Sequence, residues 1–111
     1  MSVPSWLDRD EYPFASHNLA LPAGRLHYVD EGSGPPVVMV HGNPTWSFLY
    51  RDLVKRLQPS FRCIAPDHLG FGLSEKPANW SYLPQDHAAN LAALIDDLEL
   101  RDITLVVQDW G

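Results

Sequence analysis

The stretch Ile103-Thr104-Leu105-Val106-Val107-Gln108-Asp109-Trp110-Gly111 carries the pattern richest in chemistry. Its β-branched and apolar run reads as a strand buried on both faces, and it ends on a carboxylate, an indole and a glycine. The carboxyl end of a buried strand is where α/β sheets keep their reactive groups. A strand that turns sharply into a helix holds the side chain at the turn exposed, on strained backbone. The usual occupant is a serine between glycines. Here Val107-Gln108-Asp109-Trp110-Gly111 keeps the closing glycine, has valine at the opening position, and places Asp109 where the nucleophile stands. A carboxylate needs no base to remove a proton before it attacks. It suits displacement at a saturated carbon, giving an ester that water then hydrolyses. Peptide and ester substrates more often meet serine or cysteine.

Holding such a group in place requires a sheet, and the preceding residues predict one. Residues 1–16 set Pro4, Trp6, Pro13 and Phe14 among charges, an extended arm with Trp6 and Phe14 as anchors on the domain surface. His17 to Leu21 is a short strand, Pro22-Ala23-Gly24 a turn, and Arg25 to Asp30 alternates like a half-buried strand. Together they make an antiparallel hairpin at a sheet edge. Glu31-Gly32-Ser33-Gly34-Pro35-Pro36 is a loop, and Val37 to Val40 is a continuous apolar strand ending at His41-Gly42-Asn43-Pro44-Thr45. Trp46 to Leu57 is an amphipathic helix with Trp46, Leu49, Tyr50, Leu53, Val54 and Leu57 on one face and Thr45 as N-cap. Phe61 to Ala65 is another buried strand, followed by a Gly-punctuated loop over 66–74. A second helix starts at Leu83-Pro84, with proline in its first turn, and runs to about Leu100. Ala88, Leu91, Leu94, Ile95 and Leu98 form its buried stripe. Strand, helix, strand, helix, strand at these lengths predicts two right-handed crossover units of a parallel sheet. The domain expectation is an arm over 1–16 and a partial α/β core over 17–111, because such domains commonly need on the order of 200–250 residues.

Three blocks, by their order and spacing, resemble the haloalkane dehalogenase family of α/β-hydrolases. They are His41-Gly42-Asn43-Pro44-Thr45-Trp46-Ser47-Phe48-Leu49-Tyr50-Arg51, then Pro66-Asp67-His68-Leu69-Gly70-Phe71-Gly72-Leu73-Ser74-Glu75-Lys76-Pro77, then Val107-Gln108-Asp109-Trp110-Gly111. Trp6-Leu7-Asp8 with Tyr12-Pro13-Phe14 is similar to many members as well. The likeness covers nearly the whole chain and corresponds to the N-terminal half of the family's fold. It implies that the strand ending at Val40 neighbours the one ending at Asp109, at the usual spacing of about 4.8 Å. It implies Asp109 as nucleophile, with the Asn43 amide and the Trp110 indole N–H as donors to a leaving halide, in the manner of an oxyanion hole. Backbone N–H groups near Asn43 and Trp110 would serve the second, tetrahedral step. The family's water-activating histidine and orienting acid fall beyond Gly111, so the 111 residues alone are expected to be inactive and poorly soluble. A small-molecule substrate is implied, and no cofactor. Epoxide hydrolases share the elbow, but usually carry an aromatic residue where this chain has Asn43. β-Lactone decarboxylases carry the same blocks, and the sequence does not separate them from dehalogenases.

Plainer roles stand beside these: Asp109 as an exposed strand-end acid, Trp110 as packing alone, Asn43 as the shaper of its turn. His41 reads as structural rather than acid–base, and Asp67-His68 as a charged strand end that ties loops together. Histidines 17, 27, 41, 68 and 87 show no metal-ligand spacing. Gly32-Ser33-Gly34 is no dinucleotide fingerprint, since prolines and a strand follow it rather than a helix. Ser33 precedes its strand and Ser74 lacks a closing glycine, so neither is an elbow nucleophile. A net charge of −6, with scattered acids and no basic stripe, argues against nucleic acid. Cys63, the single cysteine, fits a small buried hydrophobe and allows no internal disulfide. The charged Asp8–Glu11 segment is no signal peptide, and no apolar run reaches membrane-spanning length, so a cytoplasmic protein is expected.

Overall fold

Five strands, β1 (His17–Leu21), β2 (Gly24–Glu31), β3 (Pro36–Val40), β4 (Arg62–Pro66) and β5 (Thr104–Val107), form one sheet in the order β1-β2-β4-β3-β5. The computed structural model describes residues 7–42 and 45–108. β3 pairs in parallel with both β4 and β5, while β2 pairs antiparallel with β1 and β4. Helix α1 (Arg51–Leu57) connects β3 to β4. Helix α2 (Pro84–Asp97) connects β4 to β5, so the second crossover passes β3 and leaves β5 on its far side. The expected hairpin and its edge position are present.

The apolar run of β3 explains its interior place, between β4 and β5. Val37, Val38, Met39 and Val40 are all buried, which requires cover on both faces. Alternate residues point to opposite sides, and two clusters result. Val37 and Met39 join Cys63, Ala65, Tyr50 and Val54 of α1 on one side. Val38 and Val40 join Ile64 and Leu94 of α2 on the other. Each fully buried aliphatic side chain of this kind contributes about 1.5–3 kcal/mol. The arm packs on the α1 side, where Leu7, Tyr12 and Phe14 are buried. Phe14 is an anchor as expected, edge-on to Tyr12 at 5.0 Å between ring centroids, whereas Trp6 lies outside the described residues. Tyr12 was not foreseen as an anchor, yet its hydroxyl shares a 2.5 Å hydrogen bond with that of Ser47.

The structure departs from the sequence-based expectations at five places. β2 is not half-buried: Leu26, His27, Tyr28 and Val29 are all buried, because the polar position His27 finds a buried partner in Asp67. The segment before α1 is a 3₁₀ turn over Ser47–Tyr50; its three-residue period rotates Leu49 off the apolar face, leaving it 45% exposed. Thr45 does not cap it. The Thr45 hydroxyl donates to the Gly42 carbonyl at 2.9 Å, and the carboxylate of Asp67 accepts from the Ser47 N–H at 2.6 Å instead. Helix α2 ends at Asp97, short of Leu100, and Ala88 of its expected buried stripe is exposed. β5 is not buried on both faces. It is an edge strand among the described residues, with Leu105 55% and Val107 51% exposed, while Val106 packs on the α1 side.

Gly32 shows what the Gly32-Ser33-Gly34 loop is for. Its φ is +84°, and a Cβ there would stand 2.3 Å from the Phe61 carbonyl oxygen and 2.5 Å from that of Gln58. The glycine lets the loop pass under the α1–β4 connection, a packing role rather than a phosphate cradle. Among the described residues, no helix is long and apolar enough to cross a membrane.

Candidate functional site

The register pairs Val40 with Val107, so the carboxyl ends of β3 and β5 lie side by side. Asn43 follows the first by three residues, and Asp109 and Trp110 follow the second. Those three candidates lie outside the described residues. The structure does bring together the residues that immediately precede them. The backbone N–H of Gly42 donates to Oε1 of Gln108 at 3.2 Å, across 66 positions of sequence.

The carbonyl of Gly42 is held as closely. It accepts from Nδ1 of His41 at 2.7 Å, from the Thr45 hydroxyl at 2.9 Å and from the Thr45 N–H at 3.2 Å. Nε2 of His41 in turn accepts from the backbone N–H of His68 at 2.9 Å. A continuous chain of hydrogen bonds therefore runs from Gln108 after β5, through Gly42 and His41 after β3, to His68 after β4. His41 is completely buried, and its burial lowers its pKa, a tendency opposed by the bond to Gly42 and by the charge of Asp67. With both ring nitrogens committed, His41 is a structural residue, as its position before the turn suggested.

His41 has company that its spacing along the chain did not announce. Its ring centroid is 4.4 Å from that of His68, which is 4.7 Å from His87 on α2. Burial, reinforced by the neighbouring His41 and His87, pushes the His68 pKa down to about 4. The His87 pKa is lowered too, chiefly by burial. The three imidazoles thus line a largely apolar cavity of about 450 Å³ with Val40, Tyr82, Leu91, Leu105 and Val107. Leu105 and Val107 are alternate residues on one face of β5, so this cavity lies along the sheet face beside α2. Among the described residues, no group of histidine, cysteine and acid side chains could hold a metal ion.

The second motif, Pro66 to Ser74, is a scaffold. Asp67 is fully buried and accepts from the Ser47 N–H at 2.6 Å, the Leu73 N–H at 3.0 Å and Nδ1 of His27 at 3.0 Å. Ser74 donates to the Asp67 carbonyl at 2.5 Å and accepts from the His27 N–H at 2.7 Å. Its hydroxyl is spent on the fold, which agrees with its exclusion as a nucleophile. Asp67 ties the loop before α1, strand β2 and its own loop together. Gln108 has no role legible in the motif that contains it, although a lone amide at the end of an apolar strand is a usable signal.

The pattern of the alpha/beta hydrolase fold family matches residues 35–111. Over its full 111 residues the chain is 50% identical to haloalkane dehalogenase 2 of Mycobacterium tuberculosis, and it spans 39% of that relative's length. It is 51% identical over 102 residues to cis-3-alkyl-4-alkyloxetan-2-one decarboxylase of Shewanella oneidensis, covering 89% of this chain and 32% of that one. Among solved structures, haloalkane dehalogenase DbeA from Bradyrhizobium elkani superposes with a TM-score of 0.82 at 40% identity, over 88% of this chain and 34% of that chain.

Proposed function

Since the chain belongs to the alpha/beta hydrolase fold family, we propose that the protein carrying it is a hydrolase of the haloalkane dehalogenase type. Asp109 attacks the halogen-bearing carbon of a small alkyl halide. The new carbon–oxygen bond forms as the carbon–halogen bond breaks, and halide leaves with the bonding electron pair. The Asn43 side-chain amide and the Trp110 indole N–H donate to the departing anion as its charge develops. Water, giving up a proton to a base outside these residues, then attacks the acyl carbon of the alkyl ester, releasing an alcohol and restoring the carboxylate. The carboxylate brings its own electron pair, so the reaction calls on no cofactor.

The observation that carries this is the pairing of β3 with β5, extended by the Gly42–Gln108 hydrogen bond. It joins the residue before Asn43 to the residue before Asp109, which is what a donor acting on the nucleophile's leaving group requires. The 50% identity over all 111 residues supports the same assignment. The water-activating base and its orienting acid would come from outside these residues, so the 111-residue chain by itself is proposed to be inactive.

The 51% identity to an oxetan-2-one decarboxylase supports a second reading, in which a strained β-lactone meets the same carboxylate. Its products, carbon dioxide and an alkene, differ from halide and an alcohol. An epoxide hydrolase is the weaker alternative, because Asn43 stands where those enzymes usually carry an aromatic residue. The complete gene product should release halide from members of a bromoalkane panel, and Asp109→Asn should abolish that release. No halide from any member, with carbon dioxide from a cis-dialkyl oxetan-2-one, would transfer the assignment to the decarboxylase.

A further inference from the structure

We infer that Gln108 is a positioning residue for this reaction, setting the distance between the nucleophile and the loop that supplies the halide donor; this rests on the function proposed above. The backbone ladder between β3 and β5 has its last pair at Val40 and Val107. Beyond that pair, the strand ends are joined by a side chain: Oε1 of Gln108 accepts the Gly42 N–H at 3.2 Å. Gln108 is bonded directly to Asp109, and Gly42 directly to Asn43. One hydrogen bond therefore couples the covalent neighbours of both reacting partners.

The rest of the Gly42 peptide environment leaves that bond little slack. The Gly42 carbonyl is fixed by His41 and Thr45, and His41 is fixed to the loop after β4 by the His68 N–H. Gly42 is thus tied to β4 on one side, and Gln108 supplies the matching tie to β5. The bond also withdraws the Gly42 N–H from any anion, so the loop's donors must come from residues after Gly42. Glutamine fits this task by its chemistry. It reaches as far as glutamate and accepts as well, but brings no second negative charge beside a carboxylate and a developing halide. Asparagine, one methylene shorter, would draw the acceptor back from Gly42.

The test uses the complete gene product and two variants. Gln108→Met keeps the length and removes the acceptor, whereas Gln108→Asn keeps the polarity and shortens the reach. For both, kcat on 1-bromobutane should fall about tenfold or more and inhibition by bromide should weaken about fivefold or more, with KM within about threefold of wild type, since small misplacements of reacting groups cost rate more than binding. Melting temperatures are measured alongside. An active wild type whose variants keep their kcat and bromide inhibition overturns the positioning role and leaves the function standing. Variants that lose kcat only in proportion to their folded fraction, or that do not fold, also overturn it, because a purely structural bond behaves in that way. If the wild type acts on an oxetan-2-one instead, the same split of kcat from KM is read on that substrate. A wild type that turns over neither class overturns both inferences.

Discussion

The backbone N–H of His68 donates to Nε2 of His41 at 2.9 Å. That bond decides the protonation state of a buried ring. Nε2 must present its lone pair, so the proton sits on Nδ1, where it is donated to the Gly42 carbonyl at 2.7 Å. A second proton on His41 would break the bond to His68. It would also put charge beside two further imidazoles, 4.4 Å away and one ring beyond.

Stability should therefore fall in mild acid. The pKa values of His41, His68 and His87 are all lowered in the fold, that of His68 to about 4. In the unfolded chain each titrates near about 6.5. Below that pH the unfolded state binds more protons, so stability rises with pH between about 4 and 6.5 and this contribution is level above it. The urea midpoint should drop steadily from pH 7 to pH 5, and His68→Gln should give a shallower slope. A midpoint constant over that range would contradict the neutral cluster.

Asp67 should be the most sensitive single acid in the described fold. Its buried carboxylate accepts from Ser47, Leu73 and His27. Asp67→Asn preserves volume but leaves a donor facing donors, and should cost about 3 kcal/mol. Equilibrium denaturation of the complete gene product measures this; a loss near zero would mean the carboxylate does not organise the loops.

Gly72→Ala should be destabilising for two separable reasons. Its φ of +53° disfavours a side chain, and a Cβ would lie 2.6 Å from Asp67 Oδ2 and 2.7 Å from Trp46 Cε3. Together these should cost about 2–3 kcal/mol, visible as a lowered melting temperature. An unchanged melting temperature would show that the loop can move away from Asp67.

The β5 edge should govern the behaviour of the isolated 111 residues. Leu105 and Val107 are about half exposed on an apolar edge strand, a surface that invites strand addition. The chain expressed alone should associate at micromolar concentration, and Leu105→Lys should reduce that association in light scattering. A monomeric, cooperatively melting wild-type chain would rule the edge out.

The proposed ester predicts where the product's oxygen originates. In a single turnover of an alkyl bromide in ¹⁸O-labelled water, the alcohol should carry unlabelled oxygen from Asp109, because water attacks the acyl carbon. Later turnovers should yield labelled alcohol. Label in the first alcohol would mean that water, not Asp109, attacks the alkyl carbon.

Much of this architecture was legible in local pattern. β1 occupies His17–Leu21 as expected, the apolar run at Val37–Val40 is a strand flanked on both sides, and Pro84 opens α2. Each rests on strand or helix periodicity and on proline chemistry, which act over a few residues. Two of the departures fell where a partner from elsewhere intervened. His27 looked like the polar side of a half-buried strand until Asp67, 40 residues away, buried it. Thr45 had the right chemistry for a cap, but Asp67 took the Ser47 N–H.

By itself the sequence determined the order of strands and helices, most of the apolar positions that cover the sheet, and the three blocks whose order and spacing carry the family resemblance. The resemblance of the three blocks implied that β5 lies beside β3, as it does; only the tertiary structure decided that Gln108 reaches Gly42 and that His41, His68 and His87 share one cavity. The physical reason is range. Periodicity and turn preference are set by neighbours along the chain, whereas the Gly42–Gln108 bond and the histidine contacts join groups from 19 to 66 positions apart, which meet only once the crossovers have folded.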